Sequence, residues 1–204
     1  MEDTRVHLAL PAHHVFGGFW VRFAAHMLDW ALIAVSIIVC WVVIIMPFEM
    51  ITNILATGTQ SAPVVRIVTG VVSAVFMLAA AAWLFGYFIL FYGKKSTTPG
   101  KMLFGMRVVR EDNGGAVTWG QATGRTFAYL LSRIFYIGYI IAAFDDEKRA
   151  LHDMLAKTRV LLDTRKSQTT GWVLFGVVMF LYIAVVIGIS IVFALLAENG
   201  YLDS

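Results

Sequence analysis

VFGGFWVRFAAHMLDWALIAVSIIVCWVVIIM, residues Val15 to Met46, decides how the chain must be read. A helix needs about 20 apolar residues to cross a bilayer, and Phe19 to Met46 exceeds that. Three polar residues interrupt it: Arg22, His26 and Asp29. Steps of four and three residues put all three on one helical face within two turns. A charge near the bilayer centre costs about 2.5–3.5 kcal/mol on insertion scales, so it is normally paired or turned toward a wet cavity. Arg22 is close enough to the helix start to snorkel to the interface. Asp29 is not, because at about 1.5 Å per residue it lies about 15 Å beyond Phe19, near mid-membrane. Two readings stay open. Arg22 and Asp29 form a structural pair bridged by His26, or Asp29 is a proton or cation site.

Composition agrees with a membrane protein. Hydrophobic residues make up 59% of the 204, charged residues only 14%, and mean hydropathy is +0.77. A soluble chain carries about 25% charged residues. Cys40, the single cysteine, excludes an intrachain disulfide and reads as a small packing residue. Residues 1–14 mix acids and bases, and the run behind them is too long for a cleavable signal, so the first helix is expected to be its own targeting signal. His7, His13 and His14 read as a solvated interfacial cluster, not a metal site.

Beyond the first helix, Pro47 to Pro63 reads as a loop and Val64 to Tyr92 as a second span ending in an aromatic belt. Residues Gly93 to Gly171 hold 13 of the 16 Lys and Arg residues, which marks them as cytoplasmic under the positive-inside rule. Two short strands are expected there, Met106 to Arg110, which runs into the turn Glu111 to Gly115, and Thr158 to Asp163. Both lie on one side, where they can pair. Thr118 to Phe144 creates a conflict. Its length suggests a span, but its flanks are both basic and its apolar core, Ile134 to Phe144, is short. Runs of about 10–14 apolar residues are more often re-entrant or interfacial than spanning. An interfacial or re-entrant amphipathic helix is the preferred reading, and a fourth crossing the alternative. Trp172 to Ala197 is the last span, and three crossings from an inside N-terminus put the acidic tail outside.

The expected fold is therefore an all-α integral membrane protein with three spanning helices, one amphipathic interfacial or re-entrant helix, and a small cytoplasmic pair of β-strands. Asp145 to Arg149 is expected to begin a solvated charged helix. His152 and Asp153 follow it, but consecutive residues do not share a helix face, so joint metal ligation is disfavoured. No nucleophile elbow, CxxC, HExxH or phosphate-binding glycine loop is present, so no enzyme, cofactor or metal is expected. Arg125, on the polar side of the amphipathic helix, is a further candidate counter-ion for Asp29.

Three blocks in order resemble the RDD family of small bacterial membrane proteins: Phe19 to Asp29, Thr98 to Val109, and Arg149 to Val160. The resemblance supplies Arg22 and Asp29 as the first R and D and Asp153 as the second D. It divides the chain into a cytoplasmic N-terminal segment (1–14), a membrane domain (15–163), and a linker with an additional helix and tail (164–204). It implies residence in the bacterial inner membrane as a multi-pass protein and a transport role, with alkali-cation/proton exchange at the Arg22/Asp29 pair. No internal repeat is evident and few crossings are available, so exchange calls for a homo-oligomer. The competing class is a non-transporting accessory or assembly protein. In it the basic face meets anionic lipid, at about 1 kcal/mol of attraction per residue, and nucleic acid is not needed to explain the charge.

Overall fold

The computed structural model describes residues 12–57, 62–135 and 148–198. The chain begins with strand β1 (His14–Phe16) and turns at Gly17-Gly18 into helix α1 (Phe19–Cys40). The first helix thus starts later than Val15, because residues 14–16 are taken up in the sheet by pairing with β3. A five-residue π-helical stretch (Trp41–Ile45) continues α1 directly into α2 (Met46–Ala56). Most of the expected loop after Pro47 is therefore helix. Pro47 lies in the first turn of α2, where its missing N–H is tolerated, and the widened π turn ahead of it absorbs the mismatch.

Helix α3 (Ala62–Lys95) returns alongside, and α4 (Pro99–Leu103) follows at once. Strand β2 (Met106–Arg110) leads through its turn into α5 (Trp119–Phe135). Beyond residue 147 come α6 (Leu151–Leu155), β3 (Thr158–Asp163) and α7 (Thr169–Glu198). Lys148 to Ala150 are not helical, and Lys148 has φ +55°. The expected charged helix therefore does not include them. Residues 145–147, the end of the 118–144 segment, most of the N-terminal segment and the acidic tail lie outside the described residues.

The sheet has three strands, not two, in the order β1-β3-β2, both pairings antiparallel. The strand at 14–16 is only three residues long, too short for a pattern to separate it from the helix behind it. Its pairing (His14 with Asp163, Phe16 with Leu161) makes β3 the central strand. Thr158 to Leu162 are all buried rather than alternating, so both faces of β3 are covered. The pairing of β2 with β3 brings the strands on either side of the 118–144 segment into one sheet.

Three helical stretches among the described residues are long and apolar enough to cross a membrane: Phe19–Ala56, Pro63–Lys95 and Thr169–Leu196. All three meet the sheet at one end. Buried residues of α1 lie mainly in its first half (Arg22, Ala24, Ala25, His26, Leu28, Asp29, Ile33), and those of α3 in its last turns (Tyr87, Phe88, Tyr92). There they pack on Phe104, Met106, Val108 and Val160. The far halves expose Val35, Ile38, Val39, Val71, Val75 and Leu78, an apolar surface suited to lipid. Two hydrogen bonds join α2 to α3 there, Ser73 to the Glu49 carboxylate (3.0 Å) and Thr69 to Thr52 (3.1 Å).

Helix α4 is pressed so hard against α1 that Gly100 has no room for a side chain. A Cβ there would stand 2.1 Å from the Ala25 carbonyl oxygen and 2.9 Å from the Asp29 carboxyl carbon. Gly100→Ala is expected to destabilise the protein by about 3 kcal/mol or more. Gly124→Ala, in α5 with nothing within 4 Å of its added Cβ, should stabilise it by up to about 1 kcal/mol. Thermal unfolding in detergent would show the two shifts in opposite directions. Equal shifts would contradict the α1–α4 contact.

Candidate functional site

Two buried aspartates organise the sheet end of the helices. Asp153 is fully buried at the third position of α6, where its carboxylate accepts from the Ala150 N–H (3.1 Å) that begins the helix. The same carboxylate takes Arg22 from α1 through one oxygen and Arg125 from α5 through the other, at 2.5 Å. Arg22 is anchored by donating from Nε to the Gly17 carbonyl (2.7 Å), and Arg125 donates to Thr158 Oγ1 (2.6 Å).

Burial alone would raise the Asp153 pKa, but Arg125 and then Arg22 outweigh it and hold the carboxyl below its usual range. Burial likewise works against the charge on Arg125, and Asp153 more than offsets it, raising the guanidinium above its ordinary value. His152, beside them, is pushed down to about 3. Burial is the chief cause, opposed by Asp153 and aided by Arg125, Arg22 and Lys101. It is a neutral imidazole at physiological pH.

Asp29 is equally buried but held differently. One carboxylate oxygen accepts from Tyr87 Oη (2.9 Å) and the Gly100 N–H (2.7 Å), and the other from Thr98 Oγ1 (2.5 Å). Thr98 is the N-cap of α4, and Pro99 fills the first helical position, so α4 presents its N-terminus to the carboxylate. No ion pair reaches Asp29 among the described residues. The expected Arg22–Asp29 pair is therefore corrected, and so is Arg125 as the counter-ion of Asp29. The reason is geometric. Side chains on a helix lean toward its N-terminus. Arg22, seven residues ahead of Asp29, thus reaches back to Gly17 and across to Asp153.

His26 does not bridge the two either. Its Nε2 meets Trp30 Nε1 (2.5 Å) and the Tyr129 hydroxyl, and its ring stacks on Phe88. The structure thus joins Arg22, Arg125 and Asp153 in one centre. It places His26 beside that centre through Tyr129, which also packs on His152. Asp29 belongs to a second centre.

Tyr87, Thr98, Gly100 and Thr158 escaped the sequence reading. For Thr98-Pro99-Gly100 a signal existed, since Thr before Pro is a helix-start pattern. The pattern here begins a helix whose N-terminus is aimed at Asp29. Nothing in the sequence announces Tyr87 among the aromatic residues at the end of α3.

A model of the RDD family matches residues 16–157, so the match takes in both centres and ends before α7. Over 148 residues the chain is 36% identical to the Bacillus subtilis (strain 168) protein named "Uncharacterized protein YxaI", covering 71% of this chain and 95% of that protein. It is 29% identical over 148 residues to "Uncharacterized membrane protein YteJ" of the same organism, covering 72% of this chain and 82% of that one. No solved structure matches.

Two measurements check the centres. Asp153→Asn leaves two buried arginines sharing a neutral amide and should cost about 3–5 kcal/mol. Asp29→Asn disturbs hydrogen bonds without stranding a cation and should cost about 1–3 kcal/mol. The reverse order in unfolding experiments would refute the assignment of charges. His152 gives the second check. Its folded pKa lies below its unfolded value near 6.5, so its contribution is complete above about pH 6.5 and is lost as pH falls toward 3. Between pH 6 and 4 the wild type should lose about 1.4 kcal/mol per pH unit more than His152→Gln. The Asp153 contribution fades only below about pH 4 and leaves that window clear.

Proposed function

The chain belongs to the RDD family of membrane proteins, and we propose that it serves as a non-transporting accessory or assembly protein of the bacterial cytoplasmic (inner) membrane. The supporting observation is the state of Asp29. Both of its oxygens are occupied by protein donors, and Thr98, which holds one of them, is itself engaged by the Lys101 N–H (3.4 Å). A carboxylate fixed in this way acts as an anchor for α4 and leaves little lone-pair capacity for a travelling ion.

In this reading the three long helices are multi-pass membrane spans. The sheet and the exposed basic residues Lys94, Lys95, Arg107, Lys157, Arg165 and Lys166 form a cytoplasmic head against anionic lipid. Trp20, Trp119 and Trp172 are exposed near the starts of α1, α5 and α7, as interfacial anchors are. Helix α5 then enters from that interface beside α3, as an interfacial or re-entrant element does. The role is non-enzymatic and requires no cofactor or nucleic acid.

One observation favours a second reading, alkali-cation/proton exchange. Asp29 is buried with no ion-pair partner among the described residues, the setting in which a proton or monovalent cation can neutralise it. Arg22, His26 and Asp153 would then tune coupling from the neighbouring centre, and a homo-oligomer would complete the pathway.

Liposomes separate the two readings. Under the accessory reading, purified protein moves no protons in response to an imposed Na⁺, K⁺ or Li⁺ gradient. Cation-dependent proton flux that disappears in a folded Asp29→Asn variant would reverse the order. Orientation is checked by single-cysteine labelling in a Cys40→Ala background. Lys157→Cys should be shielded from impermeant reagent in intact cells, and Thr57→Cys, at the far end of α2, should react.

A further inference from the structure

Lys101 poses a problem of charge that neither aspartate solves. It is buried in α4, and its Nζ donates to the phenol oxygen of Tyr92 at 2.7 Å. No carboxylate pairs with it among the described residues. The guanidinium of Arg125 stands over the ring of the same tyrosine, 5.2 Å from its centroid, and Asp153 already serves Arg22 and Arg125. Two buried basic side chains therefore converge on one phenol. The phenol is incomplete as well. Its oxygen accepts from Lys101, while its own proton has no acceptor among the described residues.

Beside it lies a cavity of about 20 Å³ bounded by Tyr92, Arg125, Thr126, Tyr129, His26 and Phe88. That is room for one particle the size of a water molecule. A water there would accept the phenol proton but leave the ammonium of Lys101 uncompensated, and an unpaired buried ammonium is much the more costly defect.

We propose that this cavity is a binding site for one small monovalent anion of the halide class, held by the Tyr92 hydroxyl and the Arg125 guanidinium and balancing the charge of Lys101. The anion accepts the phenol proton, and the chain Lys101–Tyr92–anion closes the hydrogen-bonding sequence that the protein alone leaves open. The site shares Arg125 with the Asp153 centre, lies apart from Asp29, and is independent of whether the protein transports cations.

The test uses the full chain in detergent, with sodium chloride, bromide and gluconate compared at equal ionic strength. Chloride and bromide are expected to raise the melting temperature saturably over gluconate. Bromide should also give an anomalous scattering peak beside Tyr92 in crystals of the wild type. Tyr92→Phe and Lys101→Met should each lose the halide-dependent part of the melting temperature while keeping the remainder of the transition. If either variant fails to fold, the wild-type bromide peak decides. Identical melting in all three salts together with no anomalous peak would overturn the proposal. The cavity then holds water only.

Discussion

One carboxylate holds the sheet end of this protein together. Asp153 receives Arg22 from α1 and Arg125 from α5 while capping the start of its own helix, so three elements distant in sequence meet at two oxygen atoms. Arg22 and Asp153 are 131 residues apart. Closing so long a loop carries an entropic cost, and a buried ion pair makes the closure specific because either partner alone would be a stranded charge. The sheet reinforces it. Strand β3 follows α6 after a two-residue turn, pairs with β1 just ahead of α1, and offers the Thr158 hydroxyl to Arg125. The strand pairing and the ion pairs thus fix the same geometry twice.

The second aspartate does a different job with the same functional group. Asp29 is neutralised by no cation among the described residues and relies on three hydrogen-bond donors instead. Two of them come from the N-terminus of α4, so the carboxylate orients that short helix and brings its backbone into contact with α1. Gly100 is the residue that makes such closeness sterically open. The two centres therefore divide the labour. One joins elements through charge, and the other sets the distance between backbones.

Much of this architecture was legible in sequence, for physical reasons. Long apolar runs show directly which helices are long and apolar enough to cross a membrane. The two longer strands announced themselves by alternation at Met106 to Arg110 and by their turn residues. The polar trio on α1 correctly marked a buried face. The partners of that face were not legible, because pairing depends on which way side chains lean and on elements brought in from elsewhere. Arg22 and Asp29 share a helix face yet serve different centres. Strand β1 was hidden because three residues carry no period. The helix through Pro47 was hidden because proline ordinarily marks a break, and only the π turn before it makes continuation possible.

That π turn also sets the rotational phase of everything beyond it. A π turn takes up more residues than an α turn, so the faces of α2 are offset from the line that α1 would have continued. With this phase Glu49 and Thr52 face Ser73 and Thr69 across to α3. Deleting one residue between Trp41 and Ile45 would swing α2 by about 100° and carry the Glu49 carboxylate off α3. The length of this short stretch is therefore under tighter constraint than its chemistry. Val42, Val43 and Ile44 are exposed and exchangeable for other apolar residues, but their number is not.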